Sequence, residues 1–351
     1  VLVGLQEVTP MLKEELFPLL ISLGYHVITQ DDASDDVDAG DSAYYCAIAV
    51  LIESGSTSGG PTAQIIDSGF RPYSQSVMGR GLLWVHAWIG GTTTTTTDNT
   101  TPNDTDDNGT YVLFTTTHLE SFMRNYPRPG QTYDGVSQRA AQVVEATQFC
   151  SKYMQSWGGD GRLEAAFLTG DLNWDDERKR AKGADRPLLD VIEQSYGGGG
   201  NDGIKWEDVW LEMCPGQEGY TYDSKLNPML RGNLRRRFDR CLVHIPSKRN
   251  VTDGRDCGVD ASTLATHSVQ MIGTDPIEGL QWKKEIQKWA GGGPMVGSGT
   301  YMHLPVLASD HYGLYAVLGD SRFAPPTKVT VGKKSKPGRG SASTSKRRRL
   351  K

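Results

Sequence analysis

AAFLTGDLN (165–173) is the stretch that decides the fold of this 351-residue chain. Its apolar first half predicts a buried strand, and the Thr-Gly pair that follows marks the approach to the strand's end. Asp171 and Asn173 come at alternating positions, so their side chains point to the same side if the strand continues. The stretch therefore predicts a sheet with polar groups at the end of one of its strands.

Three further motifs place polar groups where an apolar strand meets a loop: LQE (5–7), THLES (117–121) and SDHYG (309–313). The carboxylate of Glu7 is costly to bury at a strand end unless it is paired or meets a cation. Taken singly each motif is weak, because a lone Glu or His at such a position is more often structural. Together with GDLN they predict one polar site assembled from distant parts of the chain.

The remaining pattern fixes the fold class. Helical periodicity spans 9–24, where Thr9 is a suitable N-cap and Pro10 occupies the first helical position, and it recurs over 135–157. Many strands with a few interleaved helices predict an α/β layered sandwich rather than an all-β fold or a purely parallel sheet. The predicted strands are 1–8, 26–30, 44–52, 81–89, 111–119, 165–172, 238–245 and 311–318.

Composition excludes several classes of protein. Hydrophobic residues make up 37% and charged residues 23% of the chain, and no run of eighteen apolar residues predicts a membrane span. Five scattered cysteines, never spaced as C-x-x-C, argue against a disulfide framework and a structural zinc site. We expect a reducing compartment.

The charge is segregated along the chain. Residues 333–351 contain nine basic and no acidic residues, whereas the preceding 332 residues contain 28 basic and 42 acidic ones. We expect 327–351 to be a disordered basic tail. Its two basic clusters predict a nuclear address, with the cytoplasm as a further location and a non-specific polyanion-binding tail as the alternative.

Three segments have the character of insertions in a single catalytic domain over 1–326. Residues 90–110 are of low complexity and predict a long flexible loop between two strands. Residues 180–202 predict a second loop. The third segment, about 247–300, is polar at first and then carries a short amphipathic stretch over 282–289.

LQE, THLES, GDLN and SDHYGL together resemble the signature blocks of the endonuclease/exonuclease/phosphatase superfamily, over about residues 1–318. Within it, MGRGLL (78–83), DVW (208–210), TYD (221–223) and RFDR (237–240) resemble blocks of the 5′-tyrosyl-DNA phosphodiesterases. The resemblance implies a four-layered α/β sandwich with two facing mixed β-sheets and a magnesium site at one end. It also implies an earlier strand that ends in Asn; since the chain begins at LQE, we expect that strand to be missing and the stability and activity to be reduced.

The resemblance assigns the metal and the attacking water to four residues. Glu7 is expected to be the main magnesium ligand and Asp310 to support the metal shell, with Mn²⁺ as a substitute ion, since hard cations prefer carboxylate oxygens. Asp171 is expected to orient or deprotonate the water, and Asn173 to hold the water or the phosphate.

Three more residues are assigned to the phosphate. By resemblance, His311 stabilises the charge that develops on the phosphoryl oxygens, and His118 contacts the same phosphate. Asp239 is expected to fix the tautomer of His311, in the manner of other carboxylate and imidazole pairs in hydrolytic sites.

Substrate contacts form the last group. A protein that acts on a single-stranded DNA end needs a stacking surface and a basic wall. The resemblance places Tyr44, Tyr222 and Leu230 on a hydrophobic wall against the terminal nucleotides, with Arg80 and Ser121 as polar contacts. At position 222 the family more often has Trp.

The expected activity is magnesium-dependent hydrolysis of the 5′-phosphotyrosyl bond between DNA and a trapped topoisomerase peptide, leaving a 5′-phosphate for repair. The partner is a single-stranded or 5′-overhang DNA end bearing a tyrosyl peptide, with protein-linked RNA as a further substrate and no membrane. Two alternatives stay open: another superfamily nuclease or phosphatase, such as an abasic endonuclease or deadenylase, and a non-catalytic DNA-end-binding module.

Overall fold

The computed structural model describes residues 2–32, 45–52, 62–90, 109–122, 134–157, 163–176, 186–197, 204–246, 264–288 and 296–320. Several predictions therefore lie outside the described residues: Tyr44, most of the 90–110 loop, parts of the 180–202 and 247–300 insertions, and the basic tail. Among the described helices, none combines the length and apolar character that a membrane crossing requires.

Helices and strands alternate along the described part of the chain. Its helices are α1 (Pro10–Ser22), α2 (Val136–Trp157), α3 (Leu188–Ser195) and α4 (Val209–Met213). Its strands are β1 (Leu2–Val8), β2 (Tyr25–Thr29), β3 (Tyr45–Leu51), β4 (Thr62–Pro72), β5 (Gly81–Gly90), β6 (Thr110–His118), β7 (Leu163–Asp171), β8 (Trp206–Asp208), β9 (Tyr222–Asp223), β10 (Arg235–Arg236), β11 (Asp239–His244), β12 (Leu264–Ile272), β13 (Gln281–Lys288), β14 (Val296–Pro305) and β15 (Gly313–Asp320).

A six-stranded mixed sheet in the order β4-β5-β6-β7-β11-β8 is the centre of the fold. Only the β6–β7 pair is parallel; the other neighbours are antiparallel. Parallel neighbours end at the same edge of a sheet, and an antiparallel third strand begins there. The end of β6, the end of β7 and the start of β11 therefore meet at one edge.

A three-stranded antiparallel sheet, β1-β3-β2, packs on one face of the six-stranded sheet. Successive residues of β3 project to opposite faces. Ile48 and Val50 pack toward β4 and β5, whereas Tyr45 and Ala47 pack with Phe17 of α1. Because Thr9 caps α1 through a hydrogen bond to the Leu12 N–H, this helix begins where the sequence predicts it.

The opposite face of the six-stranded sheet is covered by α2 and α3. Val143, Cys150 and Met154 of α2 and Ile192 of α3 pack against a fully buried set of strand residues that includes Leu168. Layers of helix, sheet, sheet and helix result. The predicted mixed α/β architecture is confirmed. The resemblance implied that both facing sheets are mixed, but of the two only the six-stranded sheet is mixed; the three-stranded sheet is antiparallel in its described strands.

Two further antiparallel pairs follow β11. In the β12–β15 pair, Val269 and Ala316 pack against Val243, on the same side of the six-stranded sheet as β1. The amphipathic stretch predicted over 282–289 forms β13, which pairs with β14.

Gly170 is the position where the central pairing is tightest. Its φ is +120°, and a Cβ there would collide with the carbonyl oxygen of Thr117 on β6. We expect Gly170→Ala to lower the free energy of unfolding by about 2–4 kcal/mol, through backbone strain and displacement of β7 from β6. Urea unfolding monitored by circular dichroism measures it.

Gly216→Ala is the matched control for that substitution. Gly216 also has a positive φ, +77°, but nothing lies within 4 Å of an added Cβ. Gly216→Ala should lower the free energy of unfolding by only about 1 kcal/mol, which is the cost of the left-handed backbone conformation alone. Equal losses for the two variants would contradict a close contact between β6 and β7 at Gly170.

Candidate active site

Side chains from five separate segments meet at the edge where β6 and β7 end. His118 is the last residue of β6 and pairs with Asp171, the last residue of β7. Asp239, the first residue of β11, is the antiparallel partner of the same aspartate. Glu7 reaches this edge from β1, and His311 from the loop that precedes β15. The register of the sheet thus brings together residues that lie up to 304 positions apart in the sequence.

Backbone strain marks one of these positions, Glu7, and also Asn173, which lies two residues after Asp171. Glu7 and Asn173 are non-glycine residues with φ of 56° and 49°. At Glu7 the β1–β3 register shifts between Leu5 and Val8, so the strand bulges. Such conformations cost about 1–3 kcal/mol each and persist where the surroundings hold them, often at functional sites.

Asp171, Asp239 and His311 form a compact group in which all three ligand atoms lie within 4.8 Å of one another. The Nδ1 atom of His311 is 2.8 Å from Oδ2 of Asp239. Burial acts to lower the pKa of His311, but the hydrogen bond to Asp239 and that residue's negative charge outweigh it and raise the pKa to about 9. His311 is therefore protonated at neutral pH, with Nδ1–H donated to Asp239.

Asp171 is the most buried carboxylate of this group. Burial, and then the negative charge of Asp239, raise the pKa of the Asp171 carboxyl to about 7. Its Oδ1 accepts the backbone N–H of Asn173 at 2.8 Å, and its Oδ2 lies 3.3 Å from Nε2 of His118. The carboxylate is held on both oxygens.

His118 is a neutral imidazole of defined tautomer. Nη1 of Arg80 lies 2.9 Å from Nδ1 of His118, and a guanidinium can only donate, so Nδ1 accepts and Nε2 carries the hydrogen. Burial, reinforced by the charges of Arg80 and His311, lowers the pKa of His118 to about 3. Nε2–H therefore points toward Asp171, and Ser121 Oγ lies 3.5 Å from the same nitrogen.

Asn173 ties the end of β7 to the loop after β6. Its Nδ2 donates to the carbonyl oxygen of Leu119 at 3.1 Å and to Oγ of Ser121 at 3.2 Å. Ser121 also lies 3.5 Å from Nη2 of Arg80. Arg80, Ser121 and Asn173 thus lie together on one side of the site, and the roles that the resemblance implies for them stay predictions.

His311 is framed by aromatic rings on the other side. The ring of Tyr222 lies edge-on at 5.2 Å and that of Phe238 at 6.1 Å. The buried Asn227 donates from Nδ2 to the carbonyl oxygens of Ser309 and Asp310, at 2.9 and 3.3 Å. Tyr222 is therefore next to the candidate site. Leu230, whose N–H is bonded to the carbonyl of Asn227, lies on the turn that is fastened to the His311 loop.

The two predicted metal ligands lie outside the three-residue group. The Glu7 carboxylate is 3.7 Å from Nδ1 of His118, and its side chain is 56% exposed. The side chain of Asp310 is exposed, and its Oδ1 accepts from Ser309 Oγ at 3.3 Å. Among the described residues, only Asp171, Asp239 and His311 form a group that could hold a metal ion.

Glu120 is a site residue for which the motifs predicted no role. Its side chain is fully buried, and its Oε1 accepts the backbone N–H groups of Val77 and Met78 at 2.8 and 3.0 Å. Its Oε2 accepts from Ser76 Oγ at 2.9 Å and Gln142 Nε2 at 3.0 Å. Because Ser76 in turn accepts the N–H of Arg80, this carboxylate fixes the loop that presents Arg80 to His118.

We expect Glu120→Gln to lower the free energy of unfolding by about 1–3 kcal/mol. The NH₂ group of the glutamine would lie against N–H and O–H groups that now donate to the carboxylate, and it cannot accept from them. Urea denaturation measures the change. Glu145→Gln is the control, since Glu145 is partly exposed and, among the described residues, accepts hydrogen bonds from Ser74 alone. If Glu120→Gln costs no more than Glu145→Gln, Glu120 does not anchor the Arg80 loop.

Comparisons with known proteins give structural neighbours. No protein-family model matches the chain, and no curated protein matches its sequence. TDP2 from D. rerio, complexed with a single-strand DNA product, is 18% identical with a TM-score of 0.49; the match covers 91% of this chain and 85% of that one. Truncated TDP2 from Caenorhabditis elegans is 18% identical with a TM-score of 0.47, covering 90% and 82%.

An endonuclease/exonuclease/phosphatase family protein from Bacteroides thetaiotaomicron is 15% identical with a TM-score of 0.46, covering 90% of this chain and 82% of that one. All three matches cover about 90% of this chain, at identities of 15–18% and TM-scores below 0.5. Since identities this low say nothing of the activity, the function is inferred from the site's own residues.

Proposed function

We propose that this protein is a magnesium-dependent phosphodiesterase that hydrolyses 5′-phosphotyrosyl bonds between DNA and trapped topoisomerase peptides, leaving a 5′-phosphate, in nuclear DNA repair. The observation that supports it best is the convergence of Asp171, Asp239 and His311, whose ligand atoms all lie within 4.8 Å. The basic residues of 333–351 support the nuclear location.

The donor set fits a hard divalent cation. Magnesium prefers oxygen ligands, so carboxylates rather than imidazoles at this site would hold it. Two carboxylates this close, one of them buried, are costly to keep charged without a cation. Glu7, with Asp310 in support, is proposed as the main ligand. When bound, the ion would neutralise charge on the phosphate and acidify a water molecule.

Asp171 is proposed to hold the attacking water. The Asn173 N–H donates to its Oδ1, and Nε2 of His118 lies 3.3 Å from its Oδ2, while further lone pairs stay free to accept. A carboxylate in that state can orient a water molecule and take its proton. Asn173, held through its own Nδ2, is proposed to hold the water or a phosphate oxygen.

His311 is proposed to stabilise the charge that develops on the phosphoryl oxygens. Asp239 accepts from Nδ1, so the proton on Nε2 is available to donate. Because the donor is already oriented before reaction, it costs no rearrangement in the transition state. His118 is neutral and donates only from Nε2, which suits a phosphate contact rather than proton transfer.

The substrate end is proposed to lie between Arg80 and Tyr222. Arg80, with Ser121, would bind a phosphate, while Tyr222 and Leu230 would pack against the terminal nucleotides. Both side chains are partly exposed and lie beside the His311 loop, in keeping with a stacking surface at the mouth of the site.

A substrate panel tests the proposal. The full chain is incubated with magnesium and a 5′-phosphotyrosyl oligonucleotide, an abasic-site duplex, poly(A) or an inositol phosphate. We expect release of tyrosine and a 5′-phosphate from the first, at a rate well above that on the others. Preferred cleavage of another substrate would assign a different phosphodiesterase or phosphatase activity, and binding of the tyrosyl oligonucleotide without cleavage would make the protein a DNA-end-binding module.

A further inference from the structure

Strands β13 and β14 form a two-stranded ribbon that the proposed catalytic centre does not use. Trp282 pairs with Leu304 and Lys284 with Met302. Of the ribbon side chains that the structure describes, in 281–285 and 299–305, none is buried. A solitary two-stranded ribbon is marginally stable in water. Its aromatic residues therefore call for an explanation other than core packing.

Each face of the ribbon carries an aromatic ring beside a lysine ammonium group. On one face, Nζ of Lys283 lies 4.2 Å from the ring centre of Tyr301, which is 48% exposed. On the other, Nζ of Lys284 lies 5.3 Å from the ring of Trp282, and Met302 is 46% exposed. Proteins that bind single-stranded nucleic acid combine these elements, with rings that stack bases and cations that follow the backbone.

The charge of the ribbon is opposite to that of the chain that carries it. Residues 281–305 contain three lysines and one glutamate, whereas residues 1–332 as a whole contain 28 basic and 42 acidic residues. A locally positive element on an acidic protein attracts a polyanion to that element rather than to the surface at large.

The position of the ribbon relates it to the site. It is inserted between β12 and β15, whose pairing ends with Ile272 opposite Gly313, two residues after His311. The Ile277 N–H donates to the carbonyl oxygen of Val306 at 2.8 Å, which joins the segment before β13 to the segment after β14 at the base of the ribbon. The ribbon therefore leaves the fold at the end of the β12–β15 pair that lies next to His311 in the sequence.

We propose that the β13–β14 ribbon binds single-stranded DNA beyond the terminal nucleotides, with phosphates at Lys283 and Lys284 and bases stacked on Trp282 and Tyr301. This inference rests on the proposed function and extends its substrate from a DNA end to a longer single strand.

Salt-dependent binding tests the ribbon directly. Fluorescence anisotropy in EDTA measures the affinity of the full chain for 3′-labelled dT15 and dT4 over a range of salt concentrations. For dT15 we expect Lys283→Gln with Lys284→Gln to weaken binding about tenfold and to reduce the slope of log K against log salt by about 1.4, or 0.7 for each lost phosphate contact. Affinity for dT4 should stay unchanged.

Lys152→Gln with Lys205→Gln is the matched control, because it removes the same charge from α2 and from the end of β8 away from the site. An unchanged dT15 slope in the ribbon variant, or an equal change in the control, would overturn the inference. The inference would also be overturned if the unmodified chain bound a 15-base-pair duplex more tightly than dT15.

The two proposals fail separately. If no 5′-phosphotyrosyl oligonucleotide is cleaved, the proposed function is wrong, yet the dT15 result still decides whether the ribbon binds single strands. If a four-nucleotide tyrosyl substrate is cleaved equally by the ribbon variant and the unmodified chain while the dT15 slope falls, both proposals are supported.

Discussion

Asp171→Asn should lower the rate of 5′-phosphotyrosyl cleavage by about 10²–10⁴-fold, the usual contribution of a positioned proton acceptor. The amide keeps the shape of the side chain and can still accept the Asn173 N–H, so the end of β7 should hold its conformation. What is lost is the negative charge that would take a proton from water. Single-turnover cleavage of a tyrosyl oligonucleotide at saturating magnesium measures the loss.

Asp190→Asn is the control for that experiment, because Asp190 is an exposed carboxylate in the first turn of α3. It should leave the rate unchanged, and circular dichroism should show both variants folded. A rate for Asp171→Asn equal to that of the control would remove Asp171 from the mechanism.

Asp208→Asn should lower the free energy of unfolding by about 3–5 kcal/mol, the cost of breaking a buried ion pair. Asp208 is 2% exposed, and its Oδ2 accepts from Nη1 of Arg237 at 2.6 Å and from Nη1 of Arg240 at 3.1 Å. Both arginines are buried, and the neutral amide would leave their charges with the partly exposed Asp176 alone. Urea unfolding of the two proteins measures the difference.

Glu207→Gln isolates the effect of burial in that comparison. Glu207 is the adjacent residue, and its pair with Lys205 is exposed, with the lysine side chain 75% accessible. Exposed pairs contribute about 0–1 kcal/mol, so this variant should be nearly as stable as the unmodified chain. Similar losses for both variants would mean that the arginine cluster does not depend on Asp208.

Sequence patterns predicted the elements that bury apolar side chains. Helix α1 was marked by its cap and its helical periodicity, and β5, β6 and β7 by runs rich in apolar residues. Strand β4 was not predicted, because Asp67 and Gly69 interrupt its pattern. It forms through pairing with β5, where Gly69 leaves space for the ring of Trp84; a Cβ there would come within 2.7 Å of it. A contact between side chains on two different strands leaves no pattern in the local sequence.

The ribbon β13–β14 escaped prediction for a related reason. None of its described side chains, in 281–285 and 299–305, is buried, so no alternation of apolar and polar residues identifies it as a strand. Its amphipathic stretch was visible in the sequence, but the strand pairing that forms it was not.

The motifs named candidate members of the site but not their geometry. The motifs supplied Asp171, His118 and His311, and the structure brings them together. Asp239 joins Asp171 through the β7–β11 register, which spacing along the chain does not encode. The tautomer of His118 follows from the position of Arg80, which only the folded loop determines.

We propose that these groups form one magnesium-dependent hydrolytic centre. The most direct measurement is the cleavage rate of a 5′-phosphotyrosyl oligonucleotide by the full chain after treatment with EDTA and after magnesium is restored. We predict that cleavage stops in EDTA and returns with magnesium. Cleavage that continues unchanged in EDTA would contradict the claim.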